Sequence, residues 1–163
     1  ELELSGLAGL QHYQDWDSGY SKQQATRPQT LGYALTDSPS GQAAWILEKY
    51  WSWTDCAGDP ENVLSKDEML DNIMVYWINQ TAASSGRLYW HSFGRGPQPT
   101  HVHLPMGGTV FPKEIFRTSK RFAEKMYTNI VHWTVQEKGG HFAAFEQPEI
   151  YIEEVRECFS KME

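Results

Sequence analysis

Apolar positions keep helical spacing from the start of the chain to Trp90 and shorten to strand-like runs after His101. Leu2, Leu4, Leu7 and Leu10 predict a short amphipathic helix within residues 1–16, stopping before Asp17-Ser18-Gly19. Pro28 disfavours helix at Arg27. Asp37-Ser38-Pro39 pairs a polar cap with a first-turn proline and predicts a helix to about Thr54. Its apolar stripe would be Ala43, Ala44, Ile46, Leu47, Tyr50 and Trp51. Residues 56–63 hold Gly58-Asp59-Pro60 and read as a loop. Ser65 and Glu68 have capping-box form, and the helix they open is expected to bury Leu70, Ile73, Met74 and Trp77. Tyr76 falls beside that stripe, where it would face another surface such as a cleft or else join the core. Helical tendency continues from Thr81 to Trp90, with Ala82, Ala83, Ser84 and Ser85 small enough for close packing, and residues 91–100 read as a loop.

The remaining chain alternates. Residues 101–106 read as a strand, followed by Gly107-Gly108-Thr109 and a loop carrying Glu114. Residues 115–126 are expected to be helical and 129–135 a second strand, with Gly139-Gly140-His141 on a short loop beyond it. Pro148-Glu149 then opens a last helix with Ile150, Val155 and Phe159 among its apolar positions. Strand, acid-bearing loop, helix, strand, histidine-bearing loop, helix places both loops on one edge of a parallel sheet, where open α/β sheets carry functional residues. Glu114 and His141 would meet there. An imidazole titrates nearest neutrality and serves as a general base, and a carboxylate on its second nitrogen fixes the tautomer. Plainer readings stand beside these: His141 as a loop residue after a glycine turn, Glu114 as a helix-terminal acid, and Tyr20 as a half-buried aromatic.

Composition narrows the classes. A chain of 163 residues, 40% hydrophobic and 21% charged, fits one ordinary domain. Seven Trp, eight Tyr and seven Phe are enough rings to line an apolar cavity as well as a core. The net charge of −7 argues against nucleic acid or an anionic membrane as partner. No apolar run is long enough to span a bilayer, no signal peptide is evident, and the two distant cysteines read as free thiols; a cytoplasmic protein is expected. His101 and His103 share one strand face without an evident third ligand, so no metal site is expected. The Asn79-Gln80-Thr81 sequon is expected to lie in a helix. The first residue, Glu1, hints that the chain begins inside a longer product.

Several stretches carry a resemblance: Gly19-Tyr20-Ser21, the run from Thr26 to Leu35, Asp37-Ser38-Pro39-Ser40-Gly41, Asn72 to Trp77, Phe111-Pro112-Lys113-Glu114, and Gly139-Gly140-His141 through Glu146. In this order they resemble the cap and C-terminal part of α/β-hydrolase epoxide hydrolases of the microsomal type. The resemblance implies an α/β fold with a helical cap segment at 1–100 and, at 101–163, the last two strands and helices of the hydrolase core. In that family an aspartate opens the epoxide to an enzyme ester, two cap tyrosines stabilise the alkoxide, and a histidine–acid pair activates water, giving a vicinal diol. It implies Tyr20 and Tyr76 as the tyrosines, Glu114 as the relay acid, His141 as the base, and no cofactor. The family's Gly-Gly-Asp-Trp-Gly elbow and His-Gly-x-Pro segment do not occur in this sequence. The resemblance therefore implies an N-terminal nucleophile-bearing half as partner, a small apolar or aryl epoxide as substrate, a homodimer as one assembly, and no activity of this chain alone. Such a chain should expose a wide apolar sheet edge and face. Two other readings remain: an ester- or haloalkane-cleaving hydrolase of the same fold, or a non-catalytic binder of apolar ligands.

Overall fold

The computed structural model describes residues 2–93 and 101–162, so the expected loop at 91–100 lies mostly outside the described residues. The chain forms two compact units, one of residues 13–52 and 58–97, the other of residues 1–12, 53–57 and 98–163.

The first unit is helical. A π-helical turn, Tyr13–Asp17, leads into α2 (Gly19–Thr26), and α3 (Pro28–Asp37) follows at once because Arg27 leaves helical geometry ahead of Pro28. The helix α4 (Pro39–Trp53) starts where Ser38 Oγ accepts the Gly41 N–H at 3.0 Å. The expected capping box is present at α5 (Lys66–Ile78): Ser65 Oγ accepts from Glu68 N, and Glu68 Oε2 accepts from Ser65 N at 2.8 Å. A separate helix α6 (Ala82–Ser92) packs on α2 and α3. The small residues serve this contact, since a Cβ at Gly32 would collide with Ala83. The sequon is not helical, because Asn79 caps α5 and Gln80 turns back with φ +51°.

Two buried faces differ from the expected stripes. On α5 the buried line is Met69–Ile73, with Tyr76 and Trp77 half-buried beyond it, while Leu70 and Met74 are exposed. Tyr76 thus continues the packed line. On α4 the buried residues are Gln42, Lys49, Tyr50 and Trp53, while Trp51 is exposed. Hydropathy alone does not place a glutamine and a lysine inside; their neighbours do.

The second unit contains α1 (Leu2–His12), the parallel strands β1 (Met106–Val110) and β2 (Ile130–Val135), and the helices α7 (Lys120–Ala123), α8 (Ala143–Glu146) and α9 (Pro148–Ser160). The helix α1 faces inward through its glycines, Gly6 against the Arg117 carbonyl and Gly9 against that of Ile115, while Leu4 and Leu7 are exposed. That contact holds residues 115–117 out of helix, so the expected helix 115–126 shrinks to α7, with Ser119 as its cap. The first strand also shifts from its expected place. Its glycines lie within it, not after it, because Cys158 Sγ and the Trp133 ring occupy the space a Cβ would need at Gly107 and Gly108. Val102 keeps only an isolated bridge to Tyr127. The helix α9 covers the strands through Glu154 and Cys158 and leaves Tyr151, Ile152, Val155 and Phe159 exposed, as do Leu104 and Val135 elsewhere in the unit. Cys56 and Cys158 are both buried, and no disulfide joins them.

Candidate active site

The two strands continue as a narrower ladder past their ends. Lys113 bridges Gly140 in parallel, with Lys113 N donating to the Gly139 carbonyl at 3.1 Å. The next residue on each segment is therefore Glu114 and His141, and their side chains meet: His141 Nδ1 lies 2.7 Å from Glu114 Oε1. The same oxygen accepts the Ile115 N–H at 2.7 Å, which fixes the carboxylate. With a carboxylate at Nδ1, that nitrogen carries the proton and Nε2 is left as the basic lone pair. The imidazole packs edge-on against Trp53, 5.3 Å between centroids, and against Phe142 at 5.1 Å.

Two further carboxylates hold the histidine loop, and neither carries a signal in the sequence. Asp55 Oδ2 accepts the Gly139 N–H at 3.0 Å. Buried Glu146 accepts from Asp55 N at 2.7 Å and from Phe142 N at 3.2 Å. Burial pushes the Glu146 carboxyl above its ordinary range, and the backbone N–H groups of Asp55, Phe142 and Gly140 pull the other way. Gly139 has φ +104°, which a side chain resists, and a Cβ at Gly140 would strike the Trp53 carbonyl. His141 N donates to that carbonyl at 2.8 Å. The glycine pair is thus the price of bringing the loop against residues 53–55.

In the helical unit Tyr20 stands on the first turn of α2. Its ring meets Tyr89 of α6 edge-on at 5.6 Å, and its hydroxyl hydrogen-bonds with Tyr13 and Tyr89. Burial, with those two phenols, holds Tyr20 far above the ordinary tyrosine range, so it stays a protonated donor. Tyr76 has neither hydrogen bond nor ring contact with Tyr20 among the described residues. It lies near Tyr50, whose hydroxyl is pushed up to about 12, by burial first and Tyr76 second. The geometry therefore pairs Tyr20 with Tyr89. The helical reading of Thr81 to Trp90 placed Tyr89 on a helix but offered nothing to choose it over Tyr76.

The His101 and His103 rings stack at 6.4 Å, and among the described residues no His, Cys, Asp and Glu group is placed to hold a metal ion. Among the described residues no helix is long and apolar enough to cross a membrane.

A helical unit, and a second unit with two parallel strands and an acid and a histidine on adjoining loops past them, have the form of a helical cap and part of an α/β-hydrolase core. Comparison with known proteins agrees. No family model matches the chain. It is 54% identical to a putative epoxide hydrolase of Stigmatella aurantiaca, over 98% of this chain and 36% of that protein. It is 37% identical to epoxide hydrolase 1 of Sus scrofa, over 90% of this chain and 35% of that protein. Among solved structures, the juvenile hormone epoxide hydrolase of Bombyx mori superposes with a TM-score of 0.86 at 32% identity, covering 96% of this chain and 39% of that one. The Aspergillus niger epoxide hydrolase superposes at 0.87 and 26% identity, covering all of this chain and 40% of that one. The chain is thus a homologue of epoxide hydrolases of the α/β-hydrolase fold, and it spans about a third of the length of the curated relatives it matches.

Proposed function

We propose that these residues serve an epoxide hydrolase that converts a small apolar or aryl epoxide to a vicinal diol through an ester on an aspartate. That aspartate belongs to an N-terminal half, joined to or docked with these residues, in a cytoplasmic enzyme. The carboxylate attacks one epoxide carbon, the C–O bond breaks, and the oxygen takes a proton from a phenol of the Tyr20–Tyr89 pair. Tyr76 is left to the packing of α5. His141 Nε2 then draws a proton from water as it attacks the ester carbonyl, while Glu114 holds the Nδ1 proton and balances the imidazolium. The ester C–O bond breaks, the diol and the free carboxylate result, and the proton held by His141 returns to the phenolate, restoring both groups.

The observation that carries this reading is the 2.7 Å contact between His141 Nδ1 and Glu114 Oε1 on loops that follow two parallel strands. A Tyr20 phenol held protonated, with a second phenol beside it, fits a reaction that develops an alkoxide. The test is His141→Gln in the complete enzyme, treated with an aryl epoxide and weighed by mass spectrometry. The expected result is a lasting mass increase of one epoxide on the nucleophile-bearing half, with turnover reduced about 10²–10⁴-fold. Undiminished turnover would remove His141 from the reaction. An apolar ligand that binds and is released unchanged by the parent enzyme would favour a non-catalytic binder.

A further inference from the structure

We propose that Lys49 is a positioning residue for Tyr20, its ammonium group orienting the phenol and strengthening it as a hydrogen-bond donor to the alkoxide. The proposal rests on the reading of Tyr20 as that donor. Lys49 is an unusual occupant of the buried face of α4: its side chain is 11% exposed, where a leucine would cost nothing to desolvate. Its Nζ stands 4.7 Å from the centroid of the Tyr20 ring and reaches back to the Asp17 carbonyl at 3.4 Å. Asp17 closes the π-helical turn that leads into α2, and Tyr13 opens it. One short irregular segment therefore supplies both a carbonyl for Lys49 and a phenol for Tyr20. Such turns occur often at functional positions.

The electrostatic direction is defined. A cation beside a phenol favours negative charge on its oxygen and so opposes the effect of burial. Glu48 Oε1 pairs with Nζ at 2.7 Å, but its side chain is about half exposed to solvent, whereas the Lys49 side chain is largely buried. A lysine that merely buried its stem and sent its head to water would not sit over the ring.

The test separates this proposal from the proposed reaction. With 3,5-difluorotyrosine at position 20 of the full chain, whose ring is more acidic than that of tyrosine, ¹⁹F resonance follows ionisation of the ring. Lys49→Met is expected to raise the midpoint by about one pH unit, and Lys49→Arg to hold it near the parent value. An unchanged midpoint in Lys49→Met would overturn the proposal. Should Lys49→Met fail to fold, Lys49→Gln gives the same comparison. In the complete enzyme, single-turnover ring opening should slow about tenfold in Lys49→Met with substrate affinity unchanged, and Lys49→Arg should restore it. A shifted ¹⁹F midpoint with unaltered ring opening would overturn the role in catalysis. A parent enzyme that opens no epoxide would instead overturn the proposed function and leave the ¹⁹F result standing.

Discussion

His141 and Tyr20 are held by opposite means. His141 sits on a loop, and backbone hydrogen bonds place it: Asp55 and Glu146 take the N–H groups of Gly139 and Phe142, and the Trp53 carbonyl takes that of His141 itself. Tyr20 sits on the first turn of a helix, where ring packing against Tyr89 and a cation over its face do the placing. The difference shows where each unit is vulnerable. The sheet-bearing unit depends on carboxylates and absent side chains. The helical unit depends on aromatic and charged side chains on its inner faces.

The largest expected effects test the phenol pair. In the complete enzyme Tyr20→Phe and Tyr89→Phe should each slow ring opening about 10²–10³-fold, while Tyr76→Phe should change it by less than about threefold. Single-turnover kinetics would check this, and the reverse order would restore Tyr76 to the pair. Next comes Gly140→Ala, whose methyl meets the Trp53 carbonyl. It should lower stability by about 1–3 kcal/mol in a denaturant titration and displace His141, whereas an alanine at exposed Gly19, with nothing within 4 Å, should have no such packing cost.

A third test concerns pH. Glu154 is pushed up by burial, but hydrogen bonds from Thr134, His132 and Thr109 outweigh this and leave its carboxyl below the ordinary range. A depressed folded value contributes stability above the unfolded value near 4.5 that is lost as pH falls through the folded one. Melting temperature should therefore fall below pH 4.5 in the parent, and Glu154→Gln should flatten that part of the curve. The smallest effect is Ser65→Ala in the helical unit, about 1 kcal/mol from loss of the capping box, read by thermal denaturation.

How much was legible follows the same division. The starts of α4, α5 and α9 were readable from Ser38-Pro39, Ser65 with Glu68, and Pro148, since a cap or first-turn proline acts on its nearest neighbours. The second strand and the meeting of Glu114 with His141 were readable from the order of segments, because parallel strands deliver their following loops to one edge. The strand Met106–Val110 was not, because two glycines read as a turn until Cys158 and Trp133 fill the space beside them. Tyr89 was not, because a tyrosine on a helix shows no sign of which helix it will face.

The sequence alone determined where α4, α5 and α9 begin, and which loops carry the acid and the histidine. These depend on residues adjacent along the chain. Only the tertiary structure decided that α1 buries glycines and exposes leucines, that α4 turns Gln42 and Lys49 inward, and that Asp55 and Glu146 fasten the His141 loop. Each of those outcomes is set by partners distant in sequence, through close approach of backbones and through donors that must be satisfied once water is excluded.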